Sequence, residues 1–166
     1  MSIDVVEELI ATRNRLLKEI SGLSYERLNK KPDEVTWSVA QVCHHLYLTE
    51  SAFTQAIIYG LNKVNGKKAE PKPVQLAVDR TQKAKAPDIV APGDEPLDSQ
   101  QIKELLNNSR NLFLEFYNQL EDKSILAEKS TKHPLFGYTP LDQWVELIYL
   151  HEERHIEQIK EIKSQL

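Results

Sequence analysis

The 166-residue sequence holds one cysteine, one methionine and five glycines, and it has no excess of basic charge. A single thiol, Cys43, permits neither an internal disulfide framework nor a cysteine-based zinc site, and it suits a reducing cytoplasm. Lys and Arg number 21 against 25 Asp and Glu, for a net charge of −4. A nucleic-acid partner would need clustered cations to neutralise phosphates, and here the densest places are only Lys67-Lys68 and Lys83/Lys85. No apolar run approaches the roughly 18 residues of a membrane span. The opening Met1-Ser2-Ile3-Asp4-Val5-Val6-Glu7-Glu8 places acids where a secretory signal needs basic residues. These absences lead us to expect a cytoplasmic protein with no nucleic-acid and no membrane partner. The length fits one domain, residues 1–166, large enough to bury a core without cross-links.

Alternating strand pattern is almost missing, and helical period dominates. Four long helices are expected, making an all-α bundle. The first starts at Ser2 or Asp4 and runs to Ser21, with Val5, Leu9, Leu16, Leu17 and Ile20 as its apolar stripe and Gly22 just past its end. A short helical turn follows at Ser24 to Leu28. Ser38 caps the second helix, which reaches about Leu61 and carries Val39, Val42, Leu46, Phe53 and Ile57. Asp98 and Gln101 have the spacing of a capping box for the third, which ends near Glu121. Thr139 caps the fourth, with Pro140 at the first helical position and Asp142 in the first turn. Five prolines fall between Asn62 and Asp98: Pro71, Pro73, Pro87, Pro92 and Pro96. That long connection reads as a crossover between helices 2 and 3, either partly ordered against the bundle or functional as a wall of a pocket.

Five histidines carry most of the chemical information, because imidazole is the commonest metal ligand. His151 and His155 stand four apart on the last helix, so both rings project from one face. At about 100° per residue, with Ile148 at zero, Leu141, Trp144, Ile159 and Ile162 fall within about 40°, His155 near −20° and His151 near −60°. Both imidazoles therefore continue a buried stripe, where an unpartnered polar ring is costly. The same count on the second helix, with Leu46 at zero, puts His45 near −100°, able to lean into the core, and turns His44 almost directly away. A third imidazole from another helix would convert the pair into a metal site with positions left open.

His151-Glu152-Glu153-Arg154-His155 also satisfies the short H-E-x-x-H signature of helical zinc proteases. Gln158 stands where the longer metzincin motif needs Gly, and no strand-rich half exists to hold an extended peptide. A protease is not expected; Glu152 is kept as a candidate general base for another reaction.

Trp37-Ser38-Val39-Ala40-Gln41-Val42-Cys43-His44-His45-Leu46, then Asp79 to Pro87, Phe136-Gly137, Trp144 and His151 to Ile159 together resemble the DinB-like (YfiT-like) metal-binding four-helix-bundle family. The resemblance implies an up-up-down-down bundle in which His45, His151 and His155 bind a divalent metal, Zn or Ni being the leading choices. It further implies a metal-dependent thiol S-transferase of bacillithiol type, or a hydrolase, acting on a small-molecule substrate, with a low-molecular-weight thiol as cosubstrate in the first case. Open metal positions suit either, since a metal can ready a water or a thiol as nucleophile. The alternative is a bundle that holds metal for structure or sensing without turnover. A homodimer is consistent with the fold.

The remaining candidates take plainer readings. Cys43 is expected as a small buried hydrophobe, Trp37 and Trp144 as packing anchors, and Glu50 as an exposed helix carboxylate. His133 is read as a loop residue before proline rather than a ligand. Arg80 and Lys83 are read as solvated charge.

Overall fold

In the computed structural model, which describes residues 4–166, Asp4 accepts from the backbone N–H groups of Val6 and Glu7 and starts α1 (Val5–Ile20). The alternative start at Ser2 lies outside the described residues. Gly22 follows α1 at φ +79°, a left-handed conformation that releases the chain from the helix. Ser24 caps the short α2 (Tyr25–Asn29). Ser38 and Gln41 form a reciprocal capping box at the start of α3 (Val39–Asn62), and Asp98 and Gln101 do the same for α4 (Ser99–Gln119). The last helix is α5 (Leu141–Lys163).

The α4–α5 connection departs from the helical expectation. Residues Ser130–His133 and Gly137–Pro140 pair as antiparallel strands β1 and β2, with His133 opposite Gly137. Gly137 turns the hairpin at φ +71°, where a Cβ would be strained. The hairpin also moves the cap of α5. Pro140 takes the N-cap position and Leu141 is the first helical residue, while the Thr139 hydroxyl donates to the Gly137 carbonyl at 2.9 Å instead of capping the helix.

Residue pairs between helices give their directions. Arg13 meets Glu152 and Glu19 meets Lys163, so α1 and α5 run parallel. Arg13 donates to the Leu106 carbonyl and Arg110 to the Leu9 carbonyl, so α1 and α4 run antiparallel. His45 meets His151, and Phe53 packs on Trp144, so α3 opposes α5. The order is up-down-down-up, which corrects the up-up-down-down order the resemblance implied. Residues 21–38, with α2 among them, reverse the chain between α1 and α3, whereas residues 63–98 return along the bundle and let α4 start at the same end as α3.

That return path is ordered by side chains. Lys72 exchanges hydrogen bonds with Gln143 at the start of α5. Further along α5, the Arg154 guanidinium donates to the carbonyls of Ala77, Asp79 and Gln82. Arg80, expected as solvated charge, pairs with Glu161 through two bonds of 3.1 Å. Gly93 donates to His44, and Leu97 and Asn29 bond reciprocally near the start of α3. The connection therefore lies along α5 and ends over the first turns of α3.

The core has two parts. Leu16, Ile20, Val42, Leu46, Ile102, Leu106 and Ile159 fill one end, and Leu9, Ile57, Phe113, Leu141, Trp144, Leu147 and Ile148 the other. Burying each such side chain is worth about 1.5–3 kcal/mol. Among the described residues no helix is long and apolar enough to cross a membrane.

Candidate metal centre

Ser38 sets the start of α3 and so the phase that turns His45 inward two turns later. On α5, the stripe of Leu141, Ile148 and Ile159 seats the helix against α1 and α3 and carries His151 and His155 in with it. The three imidazoles meet. His45 Nε2 lies 3.2 Å from His151 Nε2, and His155 Nε2 lies 3.0 Å from the same atom. His45 is 4% exposed and His155 6%.

The outer ring nitrogens define the tautomers. His45 Nδ1 lies 2.8 Å from the carbonyl oxygen of Val90, which can only accept, so the ring proton sits on Nδ1 and the lone pair is left on Nε2. His155 Nδ1 lies 2.6 Å from Gln158 Oε1, with the same consequence. Two bare lone pairs thus face His151 Nε2. One proton on His151 can satisfy only one of them well, whereas a divalent cation would satisfy all three. The spacing agrees with that reading. Nitrogens about 2.0–2.1 Å from one ion, at tetrahedral to octahedral angles, stand roughly 2.8–3.4 Å apart, and the two separations from His151 Nε2 fall in that range. The donor set of neutral imidazoles suits Zn, Ni, Co or Fe.

Protonation is disfavoured throughout the cluster. Burial lowers the pKa of His155 to about 3. Burial, and then the neighbouring imidazoles, hold His151 well below its ordinary value. Burial also lowers His45. All three rings are therefore neutral near pH 7, the form that ligates metal.

The other expected residues divide. His44 points away, accepts from the Gly93 N–H at 3.1 Å and stacks on Tyr47. Cys43 is buried, and burial pushes its thiol up to about 12, so it is an inert packing group. Trp37 packs 5.1 Å from His45, and Trp144 packs on Phe53. His133 is buried beside Phe53 and Trp144 at the end of β1, outside the three-imidazole cluster.

Glu50 is a correction. It is 6% exposed and belongs to a quartet of charges with one member from each long helix. Arg110 donates to both Glu50 oxygens at 3.1 Å and to Glu152 at 3.0 Å, while Arg13 donates to Glu152 at 2.7 Å and lies 3.5 Å from Glu50. Burial raises the Glu50 carboxyl above its ordinary value, against the pull of Arg110 and then Arg13. A cavity of about 10 Å³, room for one water at most, separates this quartet from His151. Sequence reasoning does not single out Arg13, Arg110, Val90 or the orienting role of Gln158. The charged positions nonetheless carry a signal: Arg13, Glu50, Arg110 and Glu152 each stand four residues after a buried apolar residue, namely Leu9, Leu46, Leu106 and Ile148. A charge inside an apolar stripe announces a buried partner.

Comparison with known proteins agrees with the geometry. The sequence model of the DinB superfamily matches residues 8–159. The Bacillus subtilis (strain 168) protein YuaE, itself uncharacterized, is 32% identical over 148 residues, covering 89% of this chain and 90% of YuaE. The crystal structure of TT2238, a four-helix bundle protein, superposes with a TM-score of 0.64 over 95% of this chain and 97% of that one, at 16% identity, a likeness of fold alone.

Proposed function

This chain belongs to the DinB superfamily, and on that premise we propose that it is a metal-dependent enzyme acting on a small molecule through a divalent ion held by His45, His151 and His155. The reaction class we favour is thiol S-transfer of bacillithiol type, with hydrolysis as the second member of the same reading. The observation that carries the proposal is the convergence of three neutral imidazoles whose candidate ligand atoms lie within 4.8 Å of one another, with the outer nitrogens of His45 and His155 engaged by Val90 and Gln158. When bound, the ion would lower the pKa of a coordinated water or thiol and supply a nucleophile at neutral pH.

The protein's own residues have separable tasks. Val90 and Gln158 orient His45 and His155 and keep their inward nitrogens unprotonated. Phe53, packed 5.9 Å from His151, walls the cluster on the hairpin side. Glu152, the candidate general base, has each carboxylate oxygen bonded to an arginine, and this supports reading it as a contact that holds α5 in register.

The test is metal content by mass spectrometry on untagged protein, beside His45→Ala, His151→Ala and His155→Ala, followed by thiol-conjugation and hydrolysis assays on the loaded protein. Near-stoichiometric Zn or Ni that disappears in all three variants is the expected result. Failure to take up either metal after reloading would overturn the proposal. Stoichiometric metal with no turnover on any thiol, electrophile or ester would leave the binding or sensing bundle instead.

A further inference from the structure

His133 is the buried imidazole that the three-residue cluster does not use. It closes β1, is 6% exposed, and sits in a cage of Trp144 at 4.9 Å, Phe136 at 5.2 Å and Phe53 at 5.8 Å between ring centroids. Its Nδ1 accepts the backbone N–H groups of Leu135 at 3.0 Å and Phe136 at 3.4 Å. An atom that accepts from two N–H groups carries no proton, so in the neutral ring the proton is on Nε2. Among the described residues nothing accepts from that Nε2–H. Every side-chain nitrogen or oxygen that is fully buried there does have a partner, so this Nε2 retains some exposure although its ring is enclosed. Phe53 joins the two regions, since it packs against His133 and also against His151.

We propose that His133 is the hydrogen-bond donor of a substrate subsite beside the three-imidazole cluster, where it holds a carbonyl or carboxylate oxygen of a small molecule whose flat apolar body lies against the half-buried rings of Phe53 and Phe136. The proposal rests on the metal-site reading for its place in catalysis, but not for the existence of the subsite. A neutral N–H fixed by two backbone amides pays no reorganisation on binding and selects an oxygen acceptor over an apolar group. The part-exposed rings of Phe53 and Phe136 supply the surface for a planar ligand, with Trp144 buried behind them.

Benzoate is the probe, with toluene as its apolar counterpart, titrated into Zn-loaded protein while the imidazole nitrogen resonances of His133 are followed by NMR. Benzoate should shift the His133 Nε2–H resonance. Its Kd should rise about tenfold or more in His133→Phe, with partial recovery in His133→Gln, which restores a donor. Toluene should bind all three alike. Zinc content should be unchanged in both variants, which separates this subsite from the metal centre. Benzoate that binds His133→Phe as tightly as wild type, or that leaves the His133 resonance unmoved at millimolar concentration, would overturn the proposal, as would loss of zinc in His133→Gln. Should His133→Phe not fold, the resonance shift in wild type and the His133→Gln affinity decide alone.

Discussion

Arg110→Met tests the buried quartet most directly. The guanidinium gives two bonds to Glu50, one to Glu152 and one to the Leu9 carbonyl, and its side chain is 9% exposed. Methionine fills most of the same space, so the loss is chiefly electrostatic. Glu50 and Glu152 would then share only Arg13, leaving one negative charge buried without a counterion. Breaking such a pair costs about 3–5 kcal/mol, which for a chain of this size lowers Tm by roughly 6–20 °C. Arg80→Ala is the control: its partner Glu161 is 45% exposed, and the pair should be worth at most about 1 kcal/mol. Urea unfolding followed by circular dichroism reads both. Removing Glu50 as well, in Arg110→Met/Glu50→Gln, restores charge balance around Arg13 and Glu152, so the double variant should lose less than the sum of the singles by about 1–3 kcal/mol. Acid gives a further check. Burial already raises Glu50, and without Arg110 the folded chain binds a proton there more readily than the unfolded chain does. Native protein then holds more protons, so the deficit of Arg110→Met should shrink as pH falls through the raised value. A single-variant cost under about 1 kcal/mol, or additive effects in the double, would refute the reasoning.

His133 has its pKa lowered to about 4 by burial, so the unfolded chain takes up the proton first. Stability linked to this group is full above about pH 6.5 and is lost as pH falls toward 4, by up to about 3 kcal/mol, and His133→Gln should flatten that part of the acid-unfolding profile. Gln158→Leu removes the acceptor that orients His155 and should weaken Zn binding about 10–100-fold by competitive chelator titration, with little change in Tm of the metal-free protein. Arg154→Ala should release residues 77–82 from α5, seen as faster amide exchange and earlier proteolysis in that stretch, while α3 and α5 stay protected.

The helices, most of their caps and the inward face of the histidines are legible in the amino-acid sequence alone, because period, Ser38, Asp98 and the i,i+4 spacing of His151 and His155 are local properties of the chain. The proposed third ligand, His45, is legible too, since its angle to the Leu46 stripe excludes His44. Tertiary structure decides the rest. The β1–β2 hairpin is too short to show a strand pattern and depends on one left-handed glycine, Gly137. Glu50 reads as exposed in the sequence because its partners, Arg13, Arg110 and Glu152, sit on three other helices, and only interhelical register brings them within hydrogen-bond reach. The direction of α4, the Val90 carbonyl on His45 and the open Nε2 of His133 likewise depend on where the 63–98 connection and the hairpin dock. Periodicity tells which side of a helix faces inward; which groups meet there is set by packing between segments far apart in sequence.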